Sequence, residues 1–254
     1  MIHSPTVQEN FSRAAARYDA HALLQKRWRA RVMAHALALL PERARVLDVG
    51  CGTGAFAAEA REIGMQWRVL GLDAANGMCR IAAQQCPTLQ GDAACLPLAS
   101  GAVDAVVSSL CLQWVSDVPA ALREIHRALV PGGYALLMTL GAETLRELRA
   151  LDSALRLLPM REAGTYREEA QAAGFEIVAM DAPVEPYCYE SLSGLLRSFR
   201  QIGAHAAFTA PAQRLRPSQY HALADAYHAA HAHAQGGVVA SWQPVLLILQ
   251  KALA

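Results

Sequence analysis

The run Arg45-Val46-Leu47-Asp48-Val49-Gly50-Cys51-Gly52-Thr53-Gly54 limits what this chain can become more than any other stretch. A short apolar segment rich in β-branched residues reads as a buried strand, 45–49. It stops at glycines two apart, and an Ala-rich helical pattern follows from Ala55 to Ile63. Strand, glycine turn and helix open a nucleotide-binding βαβ unit. Gly50 and Gly52 are expected to let the backbone approach a ligand where a Cβ would clash, and Gly54 to let the helix start tight against the strand.

The spacing is G-x-G-x-G, not the G-x-G-x-x-G that cradles a dinucleotide pyrophosphate on a helix N-terminus. Asp48, at the end of the strand, would repel an anion but not a ligand carrying an ammonium and a sulfonium. A second strand, 67–73, ends in Asp73, placed to accept hydrogen bonds from ribose hydroxyls. A third acid, Asp92, followed by Ala93, lies just past a short strand near 88–91 and is placed to accept from an adenine amino group. In this order, glycine loop, ribose acid and adenine acid resemble the S-adenosylmethionine site of class I methyltransferases. An ordinary βαβ turn with surface acids is the plainer reading. A nicotinamide dehydrogenase is disfavoured by the glycine spacing.

The pattern continues with a helix at 76–86, a strand from Val103 to Leu110, and a helix capped by Asp117 with Pro119 in its first turn. Pro131-Gly132-Gly133 reads as a turn before a strand from Tyr134 to Leu140. Such alternation predicts α/β architecture: a seven-stranded, doubly wound, mostly parallel sheet. The last third is less regular. Helices are expected at 143–157 and 165–173, then a strand from Phe175 to Tyr189 broken by Pro183 and Pro186. A helix capped by Ser191 runs to Phe199, and a polar, Pro-containing segment leads to an Ala/His-rich helix near 218–233. Val238 to Leu249 reads as one final strand. The organisation read from these elements is one domain over 1–254, with an N-terminal helical lid at 1–41, a cofactor-binding core at 42–189, a substrate cap at 190–236 and a last strand at 237–254.

The chain has 254 residues, of which 54% are apolar, enough for a large core. A net charge of +1 implies no whole-molecule attraction to nucleic acid or membrane. No signal peptide and no membrane-spanning run are read. Six cysteines without C-x-x-C spacing read as reduced thiols of a cytoplasmic protein. His221, His228, His231 and His233 invite a metal reading, but only Asp225 could join them, so exposed helical histidines are expected and no metal.

Two helices are expected before the first strand: 8–18, with Phe11, Ala14, Ala15 and Tyr18 at helical spacing, and 21–40, with Leu23, Leu24, Arg27 and Arg31. Between Arg13 and Arg31 the single acid is Asp19. This basic region reads either as a solvated face or as a docking face for an acidic partner.

Phe11-Ser12-Arg13-Ala14-Ala15-Ala16-Arg17-Tyr18, with His21-Ala22 and Gln25, resembles the N-terminal segment of the malonyl-[acyl-carrier protein] O-methyltransferases of biotin synthesis. Leu112-Gln113-Trp114, Ala121-Leu122-Arg123-Glu124 and Pro131-Gly132-Gly133 are similar to the same family. So is Leu192 to Ala204, ending in Ile202-Gly203-Ala204. The family usually has Lys where Arg200 stands, and Thr209 to Gly237 has no counterpart in the resemblance.

The resemblance implies S-adenosylmethionine-dependent methylation of the free carboxylate of a malonyl thioester, carried on acyl-carrier protein or on CoA. A carboxylate nucleophile needs no general base, which agrees with the lack of any Ser-His-Asp, metal-cage or paired-carboxylate pattern. It needs a guide, and Arg197 and Arg200 are the candidates for holding it or the phosphopantetheine arm. Tyr18 is the candidate catalytic residue, closing the pocket over the methyl donor with Phe11 behind it; both could instead only bury a helix. Gln113 and Trp114 are candidates for the acceptor pocket, Trp114 being equally readable as core. Two alternatives stay open: a methyltransferase for another small carboxylic acid or quinone precursor, and a non-catalytic S-adenosylmethionine-binding partner protein.

Overall fold

The structure is a computed structural model that describes residues 4–151, 156–209 and 216–253. Its first half alternates as expected. After α1 (Ser4–Ala14), a 3-10 turn (Ala15–Arg17), α2 (Tyr18–His21) and α3 (Leu23–Leu39) come β1 (Arg45–Val49), α4 (Ala55–Glu62), β2 (Arg68–Asp73), α5 (Asn76–Ala82), β3 (Thr88–Gln90) and β4 (Val103–Ser109). Then follow α6 (Val118–Ala128), β5 (Leu129–Leu140), α7 (Arg146–Ala150), β6 (Arg156–Leu157), α8 (Ala163–Ala172), β7 (Phe175–Asp181) and β8 (Glu185–Tyr189). The chain closes with α9 (Leu192–Gln201), β9 (Phe208–Thr209), α10 (Pro217–His231), β10 (Val238–Trp242) and β11 (Pro244–Lys251).

The main sheet has seven strands in the order β3-β2-β1-β4-β5-β11-β7. Neighbours from β3 to β5 run parallel, and β11 runs antiparallel to both β5 and β7. Alternate side chains of one strand therefore enter two different cores. Leu136 and Met138 of β5 and Leu246 and Ile248 of β11 join Trp28, Val32 and Phe199 on one face. Ala135, Leu137, Val245, Leu247 and Leu249 join Leu122, Ile125 and Tyr166 on the other. Both faces are covered by helices, so the central strands are apolar throughout, the signature of a doubly wound sheet. No helix among the described residues is long and apolar enough to cross a membrane.

Several expectations are corrected. The final strand is two strands. Between them Gln243 turns aside to serve the 141–144 loop: its carbonyl accepts from Gly141 N at 2.8 Å, its Oε1 from Glu143 N at 3.0 Å, and its N–H donates to Thr144 Oγ1 at 3.1 Å. β10 pairs with β8 outside the main sheet, so this hairpin carries α9 and α10. Pro131-Gly132-Gly133 is not a turn before a strand but a bulge inside β5, which already pairs Leu129 with Val103 and resumes by pairing Tyr134 with Ala105. The helix expected at 143–157 is only α7, because Leu145 at φ 56° stops it from starting sooner; residues 152–155 of that span, and residues 210–215 of the expected polar segment, lie outside the described residues. In α3 the inward face is Trp28, Val32, Met33 and Ala36, while Leu23 is 74% exposed.

Two glycines seat α1. A Cβ on Gly77 of α5 would lie 2.5 Å from Ser12 O, and one on Gly203 would lie 2.7 Å from Asn10 O. Gly203 is also at φ +78°, which other residues rarely adopt. Gly77 N donates to Ser12 Oγ at 3.1 Å, and Arg17 Nε to Gln201 O at 3.3 Å.

Candidate active site

The cleft forms at the carboxyl ends of β1, β2 and β4, under α1. The glycine loop is tied to the next strand: Gly50 N and Cys51 N both reach Leu72 O, at 2.7 and 3.1 Å. A Cβ on Gly50 would meet the Cys111 side chain at 2.4 Å, so this glycine is required by the protein's own packing as well as by its φ of +71°. Gly52, at φ +56°, faces open space: a Cβ there would meet no atom within 4 Å. Gly54 lines neither part of the cleft. Its Cβ would press on Ala82 of α5 at 3.0 Å, so it admits a helix rather than the strand expected.

Asp73 clamps the loop. Its Oδ2 accepts from Gly52 N at 2.9 Å and its Oδ1 from Ala75 N at 2.8 Å. Burial raises its carboxyl above the usual range while these N–H groups oppose the shift. Asp92 is exposed and uses Oδ1 to accept from Ala94 N at 2.9 Å; Ala93 beside it is buried. Asp73, Asp92 and Ala93 line one cleft of about 900 Å³, open mouth included, with Gly50, Gly52, Phe11, Tyr18, Met78, Leu110 and Trp114.

The inner end of the cleft holds Asp48, with Tyr18, Gln25, Arg29 and Thr53. Asp48 is 5% exposed, and no hydrogen bond from the described residues reaches it. Burial pushes its pKa up to about 7, with Arg29 opposing and Asp73 adding. A buried carboxylate without a donor is an opening for a cationic ligand group. Arg29 itself is held by Glu59 in two hydrogen bonds, of 3.0 and 2.6 Å. Asp19 accepts from Thr53 Oγ1 at 2.9 Å, fastening α2 to the glycine loop.

Tyr18 lines both ends of the cleft. Burial raises its phenol further above the ordinary range, so it stays protonated and can act only as a neutral donor or a wall. Phe11 meets Trp114 edge-on at 5.5 Å and Tyr18 at 6.4 Å, so the three rings form one aromatic roof. Gln113 does not line the cleft. It stands behind the wall, donating to Leu110 O at 2.8 Å and accepting from Thr139 Oγ1 at 3.1 Å. That holds Leu110 at φ 60°, a strained conformation for a branched residue. Arg197 and Arg200 are exposed on α9 and line neither end of the cleft. Arg200 lies near Arg13, both acting on His205, whose pKa is lowered mainly by burial.

Arg29, Leu110 and the Asp19–Thr53 bond are features of the cleft that no sequence motif marks. A basic residue in a basic helix, and a leucine after a strand, carry no local mark of a site. The lone acid among the arginines at 13–31 was a usable signal for Asp19.

The donor set fits S-adenosylmethionine: three carboxylates, Asp48, Asp73 and Asp92, line the cleft with the apolar walls of Met78 and Leu110. Among known proteins, a methyltransferase domain family model matches residues 47–137. The chain is 33% identical over 228 residues to a malonyl-[acyl-carrier protein] O-methyltransferase of Methylovorus sp. (strain MP688), covering 82% of this chain and 75% of that one. It is 34% identical over 259 residues to the biotin biosynthesis bifunctional protein BioHC of Cellvibrio japonicus, covering 98% of this chain but only 51% of that one, so it spans about half of the bifunctional relative. Among solved structures, the [4+2]-cyclase SpnF superposes with a TM-score of 0.60 at 23% identity, covering 89% of this chain and 81% of that one. A cyclase on the same frame shows that the fold alone does not name a reaction.

Proposed function

We propose, from the premise that this chain belongs to the malonyl-[acyl-carrier protein] O-methyltransferase family, that it methylates the free carboxylate of a malonyl thioester borne on acyl-carrier protein. The observation that supports the cofactor side of this reading is Asp48, buried and reached by no hydrogen bond among the described residues, at the inner end of the cleft that Tyr18 also lines. S-adenosylmethionine is the cofactor. When bound, it supplies an electrophilic methyl that a carboxylate oxygen takes as the S–CH3 bond breaks, the electron pair staying on sulfur and no proton moving.

The chain's own residues then have limited tasks. Asp48 holds the ammonium, Asp73 the ribose and Asp92 the adenine edge, and Ala93 packs beside the base. Gly50 and Gly52 shape the loop, and Gly54 seats it against α5. Phe11, Tyr18 and Trp114 exclude water, which strengthens the nucleophile by removing its hydration. Tyr18, protonated, cannot serve as a base, and none is required. Gln113 keeps Leu110 in place behind the pocket. Arg197 and Arg200, exposed on α9, act on the carrier rather than on the reacting carboxylate. With Arg13 and Arg17 they form a basic surface suited to an acidic carrier protein.

Transfer of labelled methyl from S-adenosylmethionine to malonyl-carrier protein, malonyl-CoA and free malonate tests this reading. The carrier-bound thioester is expected to turn over best, and activity on none of the three with the cofactor still bound would overturn it.

A further inference from the structure

The start of α3 stands between two hollows. One is the inner end of the cleft, with Tyr18, Asp48 and Arg29. The other is a groove of about 910 Å³, open mouth included, walled by Leu24 and Arg27 of α3, Tyr187 of β8, Phe199 and Ser198 of α9, and Trp242 of β10. Gln25 lines both. It is half-buried, and no hydrogen bond from the described residues reaches its amide.

We propose that this groove admits the acceptor's pantetheine arm and that Gln25, at its inner end, hydrogen-bonds the carboxylate that is methylated. The proposal rests on the carboxyl-methylation reading above.

Three observations carry it. The first is position: Gln25 joins the groove to the inner end of the cleft, which Tyr18 also lines. The second is chemistry. A carboxylate paired tightly to a cation is a poor nucleophile, whereas a neutral amide can orient one oxygen and leave the other free. Arg29, the cation lining the inner end, is already engaged by both oxygens of Glu59. The third is the character of the groove. Its walls are largely aromatic and aliphatic, which suits a slender amide chain. Arg27 at the rim lies over the Tyr187 ring, 5.5 Å from its centre, and makes no ion pair among the described residues. A guanidinium so placed matches the phosphate at the outer end of a pantetheine arm.

The test compares malonyl-carrier protein, malonyl-CoA and malonyl-N-acetylcysteamine, the last having no phosphate and almost no arm. Gln25→Ala is expected to lower kcat about tenfold to a hundredfold on all three with cofactor affinity unchanged, and Gln25→Glu to lower it further because like charges repel. Arg27→Ala is expected to raise KM about fivefold for the two phosphate-bearing thioesters and to leave malonyl-N-acetylcysteamine unaffected. Ser198→Trp, which narrows the groove, is expected to raise KM for malonyl-carrier protein about tenfold or more.

A binding measurement needs no turnover. With S-adenosylhomocysteine present, wild type should bind holo-carrier, which has the arm, more tightly than apo-carrier, which lacks it, and Ser198→Trp should lose that preference. Wild-type kinetics in Gln25→Ala, or an unchanged holo-over-apo preference in Ser198→Trp, would overturn the proposal. If wild type methylates none of the three thioesters, the carboxyl-methylation reading fails instead, and the holo-over-apo comparison still decides whether the groove takes an arm.

Discussion

The two walls of the cleft are held in opposite ways. The β1–β2 wall answers its polar groups from nearby sequence: Gly52 donates to Asp73, 21 residues on, and Ala75 to the same carboxylate from two residues away. The α1–α3 wall is fastened from far off. Arg17 reaches the carbonyl of Gln201, 184 residues on, and α1 sits against Gly203 and Gly77. Local clamps form with the βαβ unit itself. The roof depends on two glycines and an aromatic trio brought together from separate parts of the chain. The β1–β2 wall is thus held by short-range clamps and the roof by long-range ones.

Breaking the local wall should have the largest effect. Asp73→Ala removes a charge-assisted acceptor worth roughly 1.5–3 kcal/mol and also frees Gly52 N, so cofactor affinity measured by calorimetry should fall at least tenfold. A change under threefold would mean that this wall does not carry the cofactor.

Breaking the distant fastening comes next. Gly203→Ala places a Cβ against Asn10 O at φ +78° and should cost about 1–3 kcal/mol in denaturant unfolding, with acceptor turnover falling more than cofactor affinity. Gly77→Ala, whose Cβ would strike Ser12 O, should reproduce the turnover loss without the backbone strain. If both variants turn over normally, α1 is not clasped by these glycines.

Acidity sharpens the same contrast, because Asp48 sits where the two walls meet. With its pKa near 7, the carboxylate must lose a proton before it can hold an ammonium. Cofactor affinity should then rise about tenfold from pH 6 to pH 8 and level off above the pKa. The sign for stability is opposite. A folded pKa raised above the unfolded value stabilises the ligand-free protein fully at low pH, and that contribution is lost as pH rises from about 4 through about 7. Asp48→Asn should flatten both profiles; a pH-independent affinity in wild type would remove Asp48 from the ammonium site.

The smallest expected effect is in the roof itself. Phe11→Ala deletes the contacts of a half-buried ring with Trp114 and Tyr18, each worth at most about 0.5–1.5 kcal/mol beyond area burial, and should raise the acceptor KM several-fold with a smaller loss of stability than Gly203→Ala. A loss as large as that of Gly203→Ala would mean that the aromatic contacts, not the glycines, hold the roof.

Much of the fold and part of the site could be read along the chain. β1, α4, β2 and the capped α6 lie where patterning puts them, because their signals are a strand's apolar run, a glycine turn and a side-chain cap within a few residues. That Asp48, Asp73 and Asp92 line the cleft follows for the same reason: each lies at or just past the end of a strand. Gln113, Arg197 and Arg200 were less legible. Their motifs mark positions in the chain, but whether a side chain faces the cleft depends on which way its helix or loop is turned, and these face a supporting wall or solvent.

What the sequence by itself determined is the doubly wound frame, the glycine loop and the order of the acids after it, because these rest on short-range spacing and on the alternation of strands and helices along the chain. Only the tertiary structure decided that the last apolar run divides at Gln243, that Ile202-Gly203-Ala204 receives the N-terminal helix, and that Gln25 stands between cleft and groove. Those outcomes depend on backbone approach and side-chain direction between residues as far apart as Arg17 and Gln201, and no local pattern encodes either.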